Sequence, residues 1–235
     1  MVTRTVQIAL GLFIAASSSV SLAADTRLHP LEAYWIKYSQ EGMMQSGEIV
    51  QQCRNWCNEM AETTKTTMSM GGFSQSTNQK SITIRDTIYN VDLDKGTVTK
   101  TANPMYDSLV QSLQNSGNDQ TAMMQAWLKA LGYQSTGNTR TVAGETCTDY
   151  TSAQLMGSTT CLTDDGLALY TEVAVAGMQP MVRKAVEVRR NDPGKAEDYG
   201  IPKGSTPAAV KQPAGMPDMK QIQEMLKNMP QVPSQ

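Results

Sequence analysis

The first two dozen residues set the chemistry open to the rest of the chain. Arg4 lies in a short polar start, an apolar run covers residues 6–16, and small residues lead into Ser21-Leu22-Ala23-Ala24. A charged start, an apolar stretch too short for a membrane span and a small-x-small site are the marks of an export signal, with cleavage expected after Ala23. Residues 1–23 are therefore read as a removed leader. No cysteine stands at the cut, and no later apolar stretch reaches spanning length. An exported chain without a membrane span or N-terminal lipid is expected. That destination is oxidising, and it makes four cysteines into candidate staples.

Those cysteines are Cys53, Cys57, Cys147 and Cys161. Pairing Cys53 with Cys57 and Cys147 with Cys161 is favoured, because each pair can sit across a hairpin, where facing Cβ atoms approach disulfide reach. Around the first pair the local signal is divided. As a helix, Ile49, Cys53, Trp56, Cys57 and Met60 would share one face; as a hairpin, the two cysteines flank a three-residue turn. A C-x-x-x-C spacing does not suit a redox dithiol, and the missing C-x-x-C pairs disfavour a thiolate metal site.

Composition removes several classes of function. A net charge of −2 with no basic cluster argues against a nucleic-acid partner. The single histidine, His29, excludes a multi-histidine metal site and is expected to be a solvated residue of a mobile lead-in, residues 24–30. Glu145, Asp149, Asp164 and Asp165 supply carboxylates, but Asp164-Asp165-Gly166 reads as a turn, and no nucleophile with a base is legible. The expectation is a non-enzyme without a cofactor. Met216, Met219, Met225 and Met229 offer thioethers to Cu(I), although the same spacing fits an amphipathic turn.

Along the mature chain the hydrophobic period is mostly two. Residues 31–38 alternate as a half-buried strand, residues 63–68 are β-branched, and residues 71–78 read as a loop. Residues 81–85, 87–93 and 97–101 form a meander, with Ile82 and Ile84 on one face and a turn at Asp94-Lys95-Gly96. The period then changes. Pro104 opens one helix, Asp119 caps a second over residues 120–131, and Gly132 stops it. Met123, Met124, Trp127 and Leu128 lie on the apolar stripe of that second helix. Strands resume at 139–142, 145–151, 159–163, 167–176 and 181–188. The pattern predicts an α+β fold, helices on one face of a curved antiparallel sheet. Repeated prolines mark residues 191–235 as a flexible tail, in which residues 218–228 have the spacing of a short amphipathic helix.

Three segments carry a family likeness: residues 88–97 (IYNVDLDKGT), residues 141–150 (TVAGETCTDY), and residues 161–169 (CLTDDGLAL) with the later Tyr199-Gly200-Ile201-Pro202. Together they resemble bacterial exported proteins of the lipoprotein localisation-factor superfamily, which holds periplasmic lipoprotein carriers and their outer-membrane receptors. The likeness covers roughly residues 45–190. It implies a periplasmic, open half-barrel of antiparallel strands with a helical insert on its concave face and an apolar cavity between them. It also implies a hairpin through Arg54-Asn55-Trp56. On that basis residues 24–190 form the half-barrel domain, and a lipid or acyl ligand would meet Met123, Met124, Trp127 and Leu128. The same stripe serves equally as core. The alternative is a protein-interaction or envelope-stress module that uses the tail or an edge strand; an open sheet leaves an edge free for a partner or a second copy.

Overall fold

The computed structural model describes residues 26–42, 44–155, 157–174, 179–202 and 208–209. The strands are β1 Tyr34–Gly42, β2 Gln45–Arg54, β3 Glu59–Met70, β4 Phe73–Ile84, β5 Thr87–Asp92, β6 Thr97–Ala102, β7 Tyr133–Val142, β8 Glu145–Ser152, β9 Ser158–Leu162, β10 Ala168–Val173, β11 Met181–Arg190 and β12 Ala208–Ala209. They form one 12-stranded sheet in the order β12-β6-β5-β4-β3-β2-β1-β11-β10-β9-β8-β7. All neighbours are antiparallel except β12, which runs parallel to β6. The sheet does not close into a barrel. Helices α1 Tyr106–Asn115 and α2 Gln120–Ala130 carry the chain from β6 to β7, from near one end of that order to the other.

Local chemistry explains where these elements start and stop. Asp119 caps α2, its Oδ1 accepting from the amides of Thr121 at 2.9 Å and Ala122 at 3.0 Å. Gly132 ends it at a positive φ of 71°, a conformation that costs glycine little. Residues 48–70 resolve as a hairpin. The helical alternative fails because Asn55, Trp56 and Cys57 all take positive φ. Such a run is costly for non-glycine residues, and tertiary contacts hold it. A Cys53–Cys57 disulfide closes the turn. The buried Asn58 amide donates to the Asn55 carbonyl at 2.8 Å and the Thr26 carbonyl at 2.5 Å. Cys147 is bonded to Cys161 across β8 and β9.

Three expectations need correction. Residues 73–78 are strand rather than loop; only Gly71 and Gly72 turn, and long pairing with β3 overrides weak local propensity. The lead-in is docked: Leu28 N–H donates to the Trp56 carbonyl and Arg27 stacks on the Trp56 ring at 4.6 Å. His29 is accordingly part-buried, with Nδ1 accepting from Leu31 N–H. Finally, packed structure runs past residue 190. Asn191 N–H donates to the Ala33 carbonyl, and Tyr199 is only 4 % exposed and donates to the Pro193 carbonyl. Large residues such as Tyr199 override the proline signal by finding a surface to bury against. The expected leader, the helix expected over 218–228 and the methionines from Met216 onward lie outside the described residues.

Pairing register separates the two faces. Tyr34, Ile36 and Tyr38 of β1 point to the front, with Cys53, Gln51 and Ile49 opposite them on β2. These join Val142, Cys147, Cys161, Leu167, Leu169 and Ala185 in one buried cluster. Beyond β2 the buried side changes. Gln52, Ala61 and Ile82 are mutually opposite on the back, and Val91 and Val98 pair there too. All five are at most 4 % exposed. The chain after β11 crosses this back surface as a strap. Gly194 lies against Gln52 and Trp35, so close that a Cβ there would collide with Gln52 Oε1. A short 3-10 turn, Ala196–Tyr199, follows, and Arg54 stacks on the Tyr199 ring at 4.1 Å. Asp198 lies 3.7 Å from Lys80.

Candidate functional site

Front-facing side chains of β3 to β6 are polar where those of β1 and β2 are apolar. Register places Thr64, Gln79, Asp92 and Thr97 in one cross-strand row and Glu62, Ser81, Asn90 and Thr99 in the next. These rows line a hollow of about 300 Å³. In the row nearest the Cys53 turn Met60 and Ile88 alternate with Thr83 and Thr101, and Met60 packs on the main cluster. The polar rows offer hydroxyls, amides and two carboxylates in a fixed lattice, a surface suited to hydrogen-bonding ligands rather than to alkyl chains.

Glu62 ties this hollow to a second one. Its carboxylate accepts from Arg183 of β11 at 3.0 Å, reaching across β1 and β2. The Arg183 guanidinium also lies 4.0 Å from the Tyr38 ring centroid. Tyr38 donates to the Ala168 carbonyl at 3.0 Å, and burial pushes its hydroxyl up to about 12. The second hollow, also about 300 Å³, is lined by Tyr38, Gln51, Thr171, Val173, Met181 and Arg183 among others. Nothing in the one-dimensional pattern singled out Arg183; its role arises from the β1–β11 pairing.

A third cluster closes the other end of the front. Arg190 binds Glu145, and its Nε lies 2.8 Å from Asp165 Oδ2. Burial acts to raise the Asp165 carboxyl, but bonds from Arg190 and Thr163 outweigh it and hold the group below its usual value. His29 sits beside this cluster, 5.2 Å from the Tyr34 ring. Burial lowers it to about 4 despite the Asp165 charge, so it is a neutral imidazole at pH 7. Glu145 and Asp165 are thus ion-pair and turn groups, and Asp149 is bound by Arg140 at 2.6 Å. Asp164 is in the same turn as Asp165.

The α2 stripe occupies a different place. Met123 is buried; Met124 and Leu128 are half-buried; Trp127 lies on the same helix. A Cβ on Gly166 would stand 2.9 Å from Met124 Sδ, so the thioether seats on that turn. Ser152 donates to the Leu131 carbonyl at 2.8 Å, holding the end of α2 beside β7 and β8. Met124 therefore packs at the Gly166 turn, and Met123, Met124 and Leu128 are not among the residues that line the hollow on β3 to β6.

Among the described residues, no group of His, Cys, Asp and Glu is arranged to hold a metal ion, and no helix is long and apolar enough to cross a membrane. No known protein family matches the chain, and no curated protein does. Solved structures do. An uncharacterised conserved protein from Thermus thermophilus superposes with a TM-score of 0.50 at 8 % identity, over 79 % of this chain and 95 % of that one. The complex of MucA with MucB from Pseudomonas aeruginosa has a TM-score of 0.46 at 11 % identity, over 80 % of this chain and 61 % of that one. MucB alone gives 0.38 at 13 % identity, over 77 % and 59 %. At these identities the Thermus likeness speaks for the fold alone.

Proposed function

We propose that this protein is an extracytoplasmic, non-enzymatic binding module that holds a protein partner against the front of β3 to β6. The observation that carries this reading is the polarity of that surface: Glu62, Thr64, Gln79, Ser81, Asn90, Asp92, Thr97 and Thr99 around one hollow. A polypeptide supplies the alternating donors and acceptors such a lattice can satisfy; an acyl chain would strand them. Both disulfides support an oxidising compartment. MucB is engaged with a protein in its complex with MucA. A protein partner is proposed here on the front-face chemistry and not on that likeness.

The test places a photo-cross-linking residue at Asn90 on the front, or at Ser46 on the back, in cells exporting the full chain. The expected result is a discrete, protease-sensitive adduct from position 90 and none from position 46. Native mass spectrometry of the detergent-free protein reads the competing case. A stoichiometric acyl species, lost on Met124→Gln or Leu128→Gln substitution, would replace the protein-binding reading with a lipid site at Met123, Met124, Trp127 and Leu128.

A further inference from the structure

Over residues 79–84, β4 lies between β3 and β5. Over residues 73–77 it has β3 on one side and, among the described residues, no strand on the other. Hydrogen-bond parity identifies which backbone groups face that gap. Asn78 turns its amide and carbonyl to the β5–β6 connection, donating to Asp94 Oδ2 at 3.0 Å and accepting from Leu93 N–H at 2.9 Å. Alternation along the strand aims the amides and carbonyls of Ser76 and Ser74 the same way, into the gap. Natural edges of this kind are usually blunted by lysine, proline or a bulge. Residues 66–79 contain no charged residue and no proline, and the β3–β4 register runs from Glu59 to Met70 without a shift.

We propose that this edge is a self-association site, at which the β3–β4 hairpins of two copies of the chain pair antiparallel through residues 73–77, about a two-fold axis beside Gln75. The absence of charge points to a second copy as the occupant. A two-fold interface sets each residue against or near its twin, so any charge in the segment would meet itself. In a chain with 18 % charged residues, this hairpin tip is bare of them.

Matching the outward-facing groups sets the register. Ser74 of each copy faces Ser76 of the other and exchanges both N–H···O bonds with it. Gln75 opposes Gln75 across the axis, and Phe73 faces Thr77. The inner side of the hairpin already shows how such hydroxyl rows pair: Thr77 lies 3.0 Å from Thr66, and Ser76 3.0 Å from Thr67, oxygen to oxygen. Apolar residues bracket the joint. Phe73 is 58 % exposed, and Leu93, beside Asn78 where the copy's hairpin tip arrives, is 38 % exposed. Both lose water when the hairpins meet. The polar rows proposed to hold a protein partner lie further along the strands and remain open.

Sedimentation velocity on the full mature chain across the micromolar range tests this. A concentration-dependent dimer is expected. Gln75→Lys and Gln75→Glu each place like charges across the axis and should weaken it about tenfold. Mixing the two variants should restore a heterodimer, which also shows that each is folded. Ser76→Pro removes an outward N–H without touching the β3 ladder and should abolish assembly with the circular-dichroism spectrum unchanged. A chain monomeric at every concentration would overturn the proposal. So would a dimer indifferent to Gln75→Lys and Ser76→Pro, since it would use another surface.

Discussion

The two halves of the sheet bury opposite faces. In β1, β2 and β8 to β11 the apolar side chains point to the front, where Ile36, Leu169 and Cys161 are at most 1 % exposed. In β3 to β6 the most buried residues, Ala61, Ile82, Val91 and Val98, point to the back. A strand's side chains alternate faces, so a shift of one residue in the apolar phase moves a whole strand's payload to the other side. The lesson is that an open sheet can carry a dry front on one half and a wet one on the other. The front of the wet half stays open, while a separate segment, the strap from Asn191 to Tyr199, covers part of its back.

If the back is a true second core, truncation there should cost as much as truncation in the front. Ile82→Ala and Ile36→Ala should each lower unfolding stability by about 3–4 kcal/mol. Urea midpoints measure this; a loss under about 1 kcal/mol at Ile82 would remove the second core from the comparison. Tyr199→Ala should cost about 3 kcal/mol by unseating the strap. Hydrogen exchange sharpens that result: amides of β4 and β5 should speed up while those of β8 and β9 hold.

Acid should act on the front half. His29 is lowered to about 4 by burial, so below its unfolded value near 6.5 the unfolded chain binds the proton first. Stability is full above that value and falls as pH drops toward 4. The expected loss at pH 4.5 is about 2.5 kcal/mol, and His29→Gln should flatten that limb of the profile. The smallest effect belongs to the wet front. Asn90→Ala should change stability by less than about 0.5 kcal/mol while weakening partner binding. A large stability loss there would mean that the polar rows are structural.

Much of the fold was legible from local signals. The 81–101 meander, the Asp119 cap, the Gly132 stop and the antiparallel sheet all follow from patterns within a few residues. The first half of β4 was missed because Phe-Ser-Gln-Ser-Thr-Asn has the composition of a loop, and only its long pairing with β3 makes it a strand. His29 was misplaced because position near a terminus says nothing of burial once Leu28 bonds to the Trp56 turn. The candidate site is less legible still. The Met and Trp stripe of α2 is visible in its spacing, whereas the polar hollow draws two alternate residues from each of β3, β4, β5 and β6.

What the sequence determined by itself was therefore short in range: strand and helix periods, caps, turns, and cysteines close enough along the chain to meet. The tertiary structure alone decided which face each strand buries, where Arg183 meets Glu62, and that residues after 190 return across the back. Those outcomes depend on strand order and register. Register joins residues far apart in the chain, and alternation with a period of two is identical whichever face is wet.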